Sequence, residues 1–158
     1  MDKLTIDRIK LAHPSLRDEL LEQYTEINNA LPANVRLRFA YVLRTPEEQH
    51  KLFLQRPKVT KADAWQSIHN YGLAFDIVLL YDTNGDGTFE TASWEQNKYW
   101  NQVAAYFQSK GWEWGGAWKS FKDAPHFQKA HGLTWRDLKA KIDANDCVVD
   151  SGIKYPNI

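Results

Sequence analysis

Cysteine and methionine are nearly absent from this chain, one of each in 158 residues, so no intrachain disulfide can form. The single thiol, Cys147, lies late in the chain and reads as a small packed residue. Long apolar runs are also missing. None approaches the roughly 20 residues that cross a bilayer. The opening Met1–Arg8 is charged and has no apolar segment, so no signal peptide is expected. Net charge is missing too, with 20 Lys and Arg against 20 Asp and Glu. That balance argues against nucleic acid as a partner, because phosphate binding wants a basic face, but it leaves room for a locally charged cleft. There are no repeats, no low-complexity tract and no linker, so residues 1–158 read as one domain.

What is present suits a packed core: 43% hydrophobic residues, 13% aromatic, and seven tryptophans. Ser15-Leu16-Arg17-Asp18 has the form of a capping box that opens a helix. Leu16, Leu20, Tyr24, Ile27 and Leu31 then recur at helical spacing up to Pro32. Residues Val35 to Arg44 alternate as a strand, with Val35, Leu37, Phe39, Tyr41 and Leu43 on one face. Thr45-Pro46-Glu47-Glu48 predicts a second capped helix to about Gln55, followed by an exposed loop to Gln66. Phe75 to Tyr81 reads as a strand apolar on both faces, and Asp82 to Thr88 as a turn. Ser93-Trp94-Glu95-Gln96 predicts a helix start, Trp100, Val103, Ala104 and Phe107 its buried stripe, and Gly111 its stop. Trp112 to Trp114 and Phe127 suggest short strands. Thr134 opens a last helix to about Ala144, and the tail after Asp143 is expected to lie extended on the surface. This order of elements predicts an α+β fold.

The chemistry concentrates in Ser67-Ile68-His69-Asn70-Tyr71-Gly72-Leu73-Ala74-Phe75-Asp76 and in Asp123-Ala124-Pro125-His126. A catalytic zinc needs three N or O protein ligands, an open position for water, and a base that is not a ligand. His69, Asp76 and His126 can be the ligands and Asp123 the base. Asp76 starts a strand apolar on both faces, so its carboxylate needs a partner: a metal, an arginine or a backbone cap.

Ser-x-His-x-x-Gly-x-Ala-x-Asp followed by Asp-x-x-His resembles the zinc LD-/DD-peptidases. That family comprises D-Ala-D-Ala carboxypeptidases, D-Ala-D-Ala dipeptidases and phage L-alanyl-D-glutamate endopeptidases. The stretches Gly111–Trp118, Phe121–Gln128 and Leu43–Gln49 are most similar to the endopeptidase branch, and the resemblance runs from about Ile9 to Tyr155-Pro156. It implies a hedgehog/DD-peptidase-like fold, a small mainly antiparallel sheet flanked by helices, with zinc on one sheet face. It also implies cleavage of the peptidoglycan stem at the L-alanyl-D-glutamate bond. The expected protein is a monomer, made in the cytoplasm and released to the wall as phage or prophage lysins are.

Other residues take expected roles beside these. Arg44, just before a helix, reads as an anion clamp or oxyanion support, a role the resemblance favours. Gln49, one turn past Thr45, can orient Arg44 or meet the substrate. Ser67 would share the face of His69 and donate to substrate or ligand. Trp112, Trp114 and Trp118 can wall the cleft, with Trp114 the expected substrate contact, although at least one of the three should be core. Gly72 and Ala74 are small where the backbone passes close to something, either the metal site or a simple turn. His131 can stand near the site, whereas His13 and His50 read as surface or cap residues. Asp82, Asn84 and Asp86 match the first half of a calcium loop, but position 12 is Ser93, so calcium competes with a turn built on Asn84-Gly85.

Two rival functions stand beside the endopeptidase. One is a D-Ala-D-Ala carboxypeptidase or dipeptidase. The other is a zinc-stabilised wall-binding module without catalysis, against which Asp123 argues.

Overall fold

The computed structural model describes all 158 residues. Helix α1 (Lys3–Ile9) and helix α2 (Arg17–Ala30) lead into strand β1 (Val35–Tyr41) and helix α3 (Pro46–Leu54). A short 3-10 helix, Ile68–Tyr71, precedes strand β2 (Ala74–Tyr81), which is followed by β3 (Thr91–Ser93) and helix α4 (Lys98–Ser109). Strand β4 (Glu113–Trp114), a 3-10 turn at Gly115–Ala117, β5 (His126–Gln128) and helix α5 (Trp135–Asp143) come next. A hairpin of β6 (Cys147–Asp150) and β7 (Ile153–Pro156) closes the chain. The expected α+β architecture with a mainly antiparallel sheet is what forms.

Strand β2 organises the sheet. One edge pairs with β1; the other is shared by β3 at its far end and β5 at its start, and β5 carries β4. Phe75, Ile77 and Leu79 of β2 face the core, and Val78 and Leu80 on the other face are buried as well, as the doubly apolar run predicts. Across the core face a row of rings crosses four strands. Phe39 stacks on Phe75 at 4.2 Å, Phe75 on Phe127 at 5.1 Å, and Phe127 on Trp114 at 6.3 Å. Pairs of this kind each contribute about 0.5–1.5 kcal/mol beyond the area they bury.

Several elements depart from the sequence reading. The Ser15 box does not cap α2. Its hydroxyl is engaged by His13 Nδ1 at 2.8 Å, and α2 starts at Arg17 with no side-chain cap. Ser93 is drawn into β3, so the following helix waits for Asn97, whose side chain accepts from the amides of Tyr99 and Trp100. The β1 alternation breaks at a bulge between Phe39 and Tyr41. Tyr41 leaves the face of Phe39 and becomes the cross-strand partner of Asp76, and Val42 is buried instead. The tail is a hairpin docked into the molecule, with Tyr155 fully buried and its hydroxyl donating to the Leu11 carbonyl at 2.8 Å. His13, expected at the surface, is buried against that hairpin, with Nε2 2.6 Å from the Pro156 carbonyl oxygen. Gly72 has a left-handed φ of +72°, and a Cβ there would sit 2.6 Å from the His13 amide nitrogen. Its small size therefore serves contact with His13, not with the metal candidates.

Candidate metal centre

The sheet register assembles the site. Asp76 on β2 pairs directly with His126 on β5, so both side chains project from the same face, opposite Phe75 and Phe127. His69 reaches that face from the 3-10 helix, which the Ser67 side chain caps by accepting the His69 amide. The same helix is tied to the chain after β1: Arg44 N–H donates to the His69 carbonyl, and Asn70 Nδ2 donates to the Arg44 carbonyl.

Two hydrogen bonds set which histidine nitrogens are free. His69 Nδ1 lies 2.9 Å from the Val42 carbonyl, which can only accept, so that nitrogen carries the hydrogen. His126 Nε2 donates to Gln128 Oε1 at 2.7 Å. The remaining lone pairs, on His69 Nε2 and His126 Nδ1, point at one oxygen of Asp76 from 3.2 and 3.3 Å. All three donor atoms lie within 4.8 Å of one another. A tetrahedron with metal–ligand bonds near 2.0–2.1 Å has edges of about 3.3 Å, so this spacing fits such an ion.

The electrostatics agree. Burial would raise the Asp76 carboxyl, but the adjoining histidines outweigh it and hold it well below the usual carboxylate range. Burial disfavours charge on His126, yet its hydrogen bond to Asp76 prevails and its pKa is raised. The cluster is thus an electron-rich set that binds a proton strongly, and a divalent cation can take that proton's place.

Asp123 lines the same cleft as the three ligand candidates, together with Tyr41, Arg44, Ser67 and Trp118. It is held from behind. Its amide donates to the Gly115 carbonyl at 3.0 Å, and the next carbonyl, that of Ala124, accepts from both Trp114 Nε1 at 2.7 Å and Trp100 Nε1 at 3.1 Å. A Cβ on Gly115 would sit 2.3 Å from the Asp123 carbonyl oxygen, so only glycine admits this approach. Burial and then the Asp76 charge raise the Asp123 carboxyl, against the pull of His126, His69 and Arg44. It is the one cleft carboxylate that engages no histidine, which leaves it free to take or give a proton.

Arg44 is buried at the cleft wall. Its Nη1 donates to Gln49 Oε1 at 3.0 Å, its guanidinium lies 4.4 Å over the Tyr41 ring, and Nη2 is 3.9 Å from Asp76. Its Nε has no hydrogen-bond partner in the protein. Asp76 therefore has both of the side-chain partners weighed from sequence, the metal set closely and the arginine at longer range.

Three expectations are corrected. Trp114 does not line the cleft: the register places it opposite Phe127 on the core face, and it is tied to the site through the Ala124 carbonyl. Trp118, 5.5 Å from the His126 ring, is the tryptophan in the cleft. Gln49 is fully buried, with Nε2 donating to the Ala62 carbonyl, so it orients Arg44 and cannot meet substrate. His131 lies in a separate depression with Gly111, Glu113 and Lys129, away from the cleft. Gln128, Val42 and Gly115 are the residues that sequence reasoning missed. The i, i+2 spacing of His126 and Gln128 on a strand was the available signal.

Asp82, Asp86 and Glu90 bring carboxylate oxygens within 4.8 Å of one another. The Asn84 side chain accepts the Asp86 amide at 3.2 Å. The Asp82 oxygens accept from Gly85 and Gly87 N–H at 2.9 Å, and Asp86 accepts from Thr88. These bonds are those of a turn, the competing reading of this segment.

No helix is long and apolar enough to cross a membrane. The sequence profile of a family described as D-alanyl-D-alanine carboxypeptidase matches residues 60–129, the stretch holding all three ligand candidates and Asp123. The peptidoglycan L-alanyl-D-glutamate endopeptidase CwlK of Bacillus subtilis (strain 168) is 38% identical across 54% of this chain and 55% of its own. The match thus spans about half the length of that relative. The crystal structure of the Serratia marcescens L-Ala D-Glu endopeptidase ChiX is similar over 85% of this chain and 89% of that one, at 26% identity and a TM-score of 0.59.

Proposed function

We propose that this chain, whose residues 60–129 match the family described as D-alanyl-D-alanine carboxypeptidase, is a zinc-dependent endopeptidase of the bacterial peptidoglycan stem, cutting the L-alanyl-D-glutamate bond. The observation that carries the chemistry is the convergence of two histidine lone pairs on Asp76, with the uncommitted carboxylate of Asp123 in the same cleft. The names of the two relatives support the choice of bond.

His69, Asp76 and His126 would hold the metal. Bound there, zinc supplies Lewis acidity and brings the pKa of a water down to about 7. Asp123 takes the proton of the attacking water at a carboxylate oxygen and returns it to the amine that leaves. Its raised pKa suits both halves of that exchange. Arg44, oriented by Gln49 and the Tyr41 ring, offers N–H donors to the oxyanion that forms on the scissile carbonyl, or to a substrate carboxylate. Ser67 lines the cleft, but its oxygen also accepts the His69 amide, so its first effect is to seat that ligand. The protein acts as a monomer on the cell wall. Calcium at the Asp82–Asp86 turn has no part in this mechanism.

Mass spectrometry of digested peptidoglycan tests the proposal. Fragments should bear a new free amino group on glutamate. The family description itself favours a second reading, a D-Ala-D-Ala carboxypeptidase. Release of free D-alanine alone would establish that reading, and no release of either kind would leave the binding module.

A further inference from the structure

Although the chain as a whole is neutral, the two loops beside the cleft are not. The second half of α3 with the loop after it, residues 49–62, and the segment from the end of β4 through its following loop, residues 114–122, contain Lys51, Arg56, Lys58, Lys61, Lys119 and Lys122 and no Asp or Glu. Leu52, Gln55, Val59 and Thr60 of the first stretch line the cleft, and Trp118 of the second lines its other side. All six cations are exposed, and none takes part in an ion pair. The two loops meet: Lys61 Nζ sits 4.5 Å over the ring of Phe121, which is 80% exposed and has a left-handed φ of +52°.

We propose that these two loops form a basic rim that reads a free carboxylate on the leaving side of the scissile bond, with Lys61 as its principal contact. This rests on the peptidase reading above. A glutamate acylated at its amine has two carboxyl groups, and a continuing peptide uses only one of them. The other remains an anion beside the bond to be cut. An exposed cation–π contact such as Lys61 on Phe121 contributes only about 0.5–1 kcal/mol. A charge-assisted hydrogen bond to a carboxylate is stronger, so Lys61 can leave the ring for the substrate. The other five cations raise the concentration of anionic substrate at the cleft, an effect worth roughly 10–10³ in association rate at low salt. Amidation of that carboxyl removes the charge and keeps the shape.

The test uses the zinc-loaded protein and two stem peptides, one with D-glutamate and one with its free carboxyl amidated. At low salt the wild type should prefer the acidic peptide by about tenfold or more in kcat/KM, and the preference should shrink as salt is added. Lys61→Glu and Lys122→Glu should raise KM for the acidic peptide and bring the preference towards unity, with zinc content at the wild-type level. Equal KM for the two peptides in the wild type, or a preference untouched by both reversals, overturns the rim. Cleavage of neither peptide by the wild type removes the peptidase reading, and the rim with it.

Discussion

At the scale of single residues, the division of labour in the cleft rests on hydrogen bonds too short-ranged for a motif to describe. The Asp123 carboxylate bonds no histidine ring, while that of Asp76 is committed to two. General acid–base help is worth on the order of 10²–10⁴ in rate, so Asp123→Ala should lose about that much activity and keep its zinc. A near-normal rate would transfer the role of base elsewhere, and loss of zinc would make Asp123 a ligand. The sign of its pH dependence follows from its raised pKa. The base works when deprotonated, so the rate falls as pH drops through a value above that of an ordinary carboxylate, and Asp123→Ala should erase this acid limb. Gln128 acts one step further out. It accepts the His126 Nε2 hydrogen and so frees Nδ1. Partners of this kind are worth 10–100-fold in metal affinity, so Gln128→Leu should weaken zinc binding by about that factor in a chelator competition. Unchanged affinity would show that β5 alone orients His126.

At the scale of elements, local signals were legible where nothing competed for them. The Thr45 and Thr134 capping boxes form as their spacing predicts. Ser15 and Ser93 carry the same signal and fail, the first because His13 takes its hydroxyl, the second because it joins β3. Tyr41 and Trp114 were misplaced for one shared reason. The sheet face a residue occupies depends on register and bulges, which lie in the partner strands. Helix α1 is short, with only Thr5 and Ile9 buried, and was not read from the sequence. It is fixed by a buried polar cluster: both oxygens of Asp2 accept from Arg38 at 2.9 Å, Thr5 Oγ1 donates to Asp2 at 2.6 Å, and the Phe39 amide donates to Thr5 at 2.9 Å. Removing one partner of a largely buried pair is costly, so Arg38→Ala should destabilise by about 2–4 kcal/mol in urea denaturation, discounted for the partial exposure of Arg38. Lys10→Ala, which removes an exposed pair with Asp7, should stay within about 0.5 kcal/mol. Burial would raise the Asp2 carboxyl, but Arg38 and Thr5 prevail and depress it. Its stabilising contribution is therefore full above the unfolded-state value and is lost as pH falls through the lower folded one. Equal costs for the two variants would refute this anchoring of α1.

At the scale of the whole molecule, one core cluster of 25 buried residues supports a sheet whose opposite face, at the start of β2, carries the chemistry. The metal-ligand candidates could be picked out in the sequence because their types and spacing are tied to what an ion requires, and the fold brings their donor atoms together. The walls of the cleft could not, since Val59, Thr60 and Trp118 meet there only through the path of two loops. The hairpin that buries Tyr155 was equally hidden, because Tyr155 and Pro156 are bonded to Leu11 and His13, between the first two helices and more than a hundred residues away. Every functional claim depends on His69, Asp76 and His126 acting together as a metal centre. Elemental analysis of the purified protein beside His69→Ala and His126→Ala tests that most directly. The account predicts one zinc ion per chain in the wild type and its loss in both variants, and full zinc retained in either variant would contradict it.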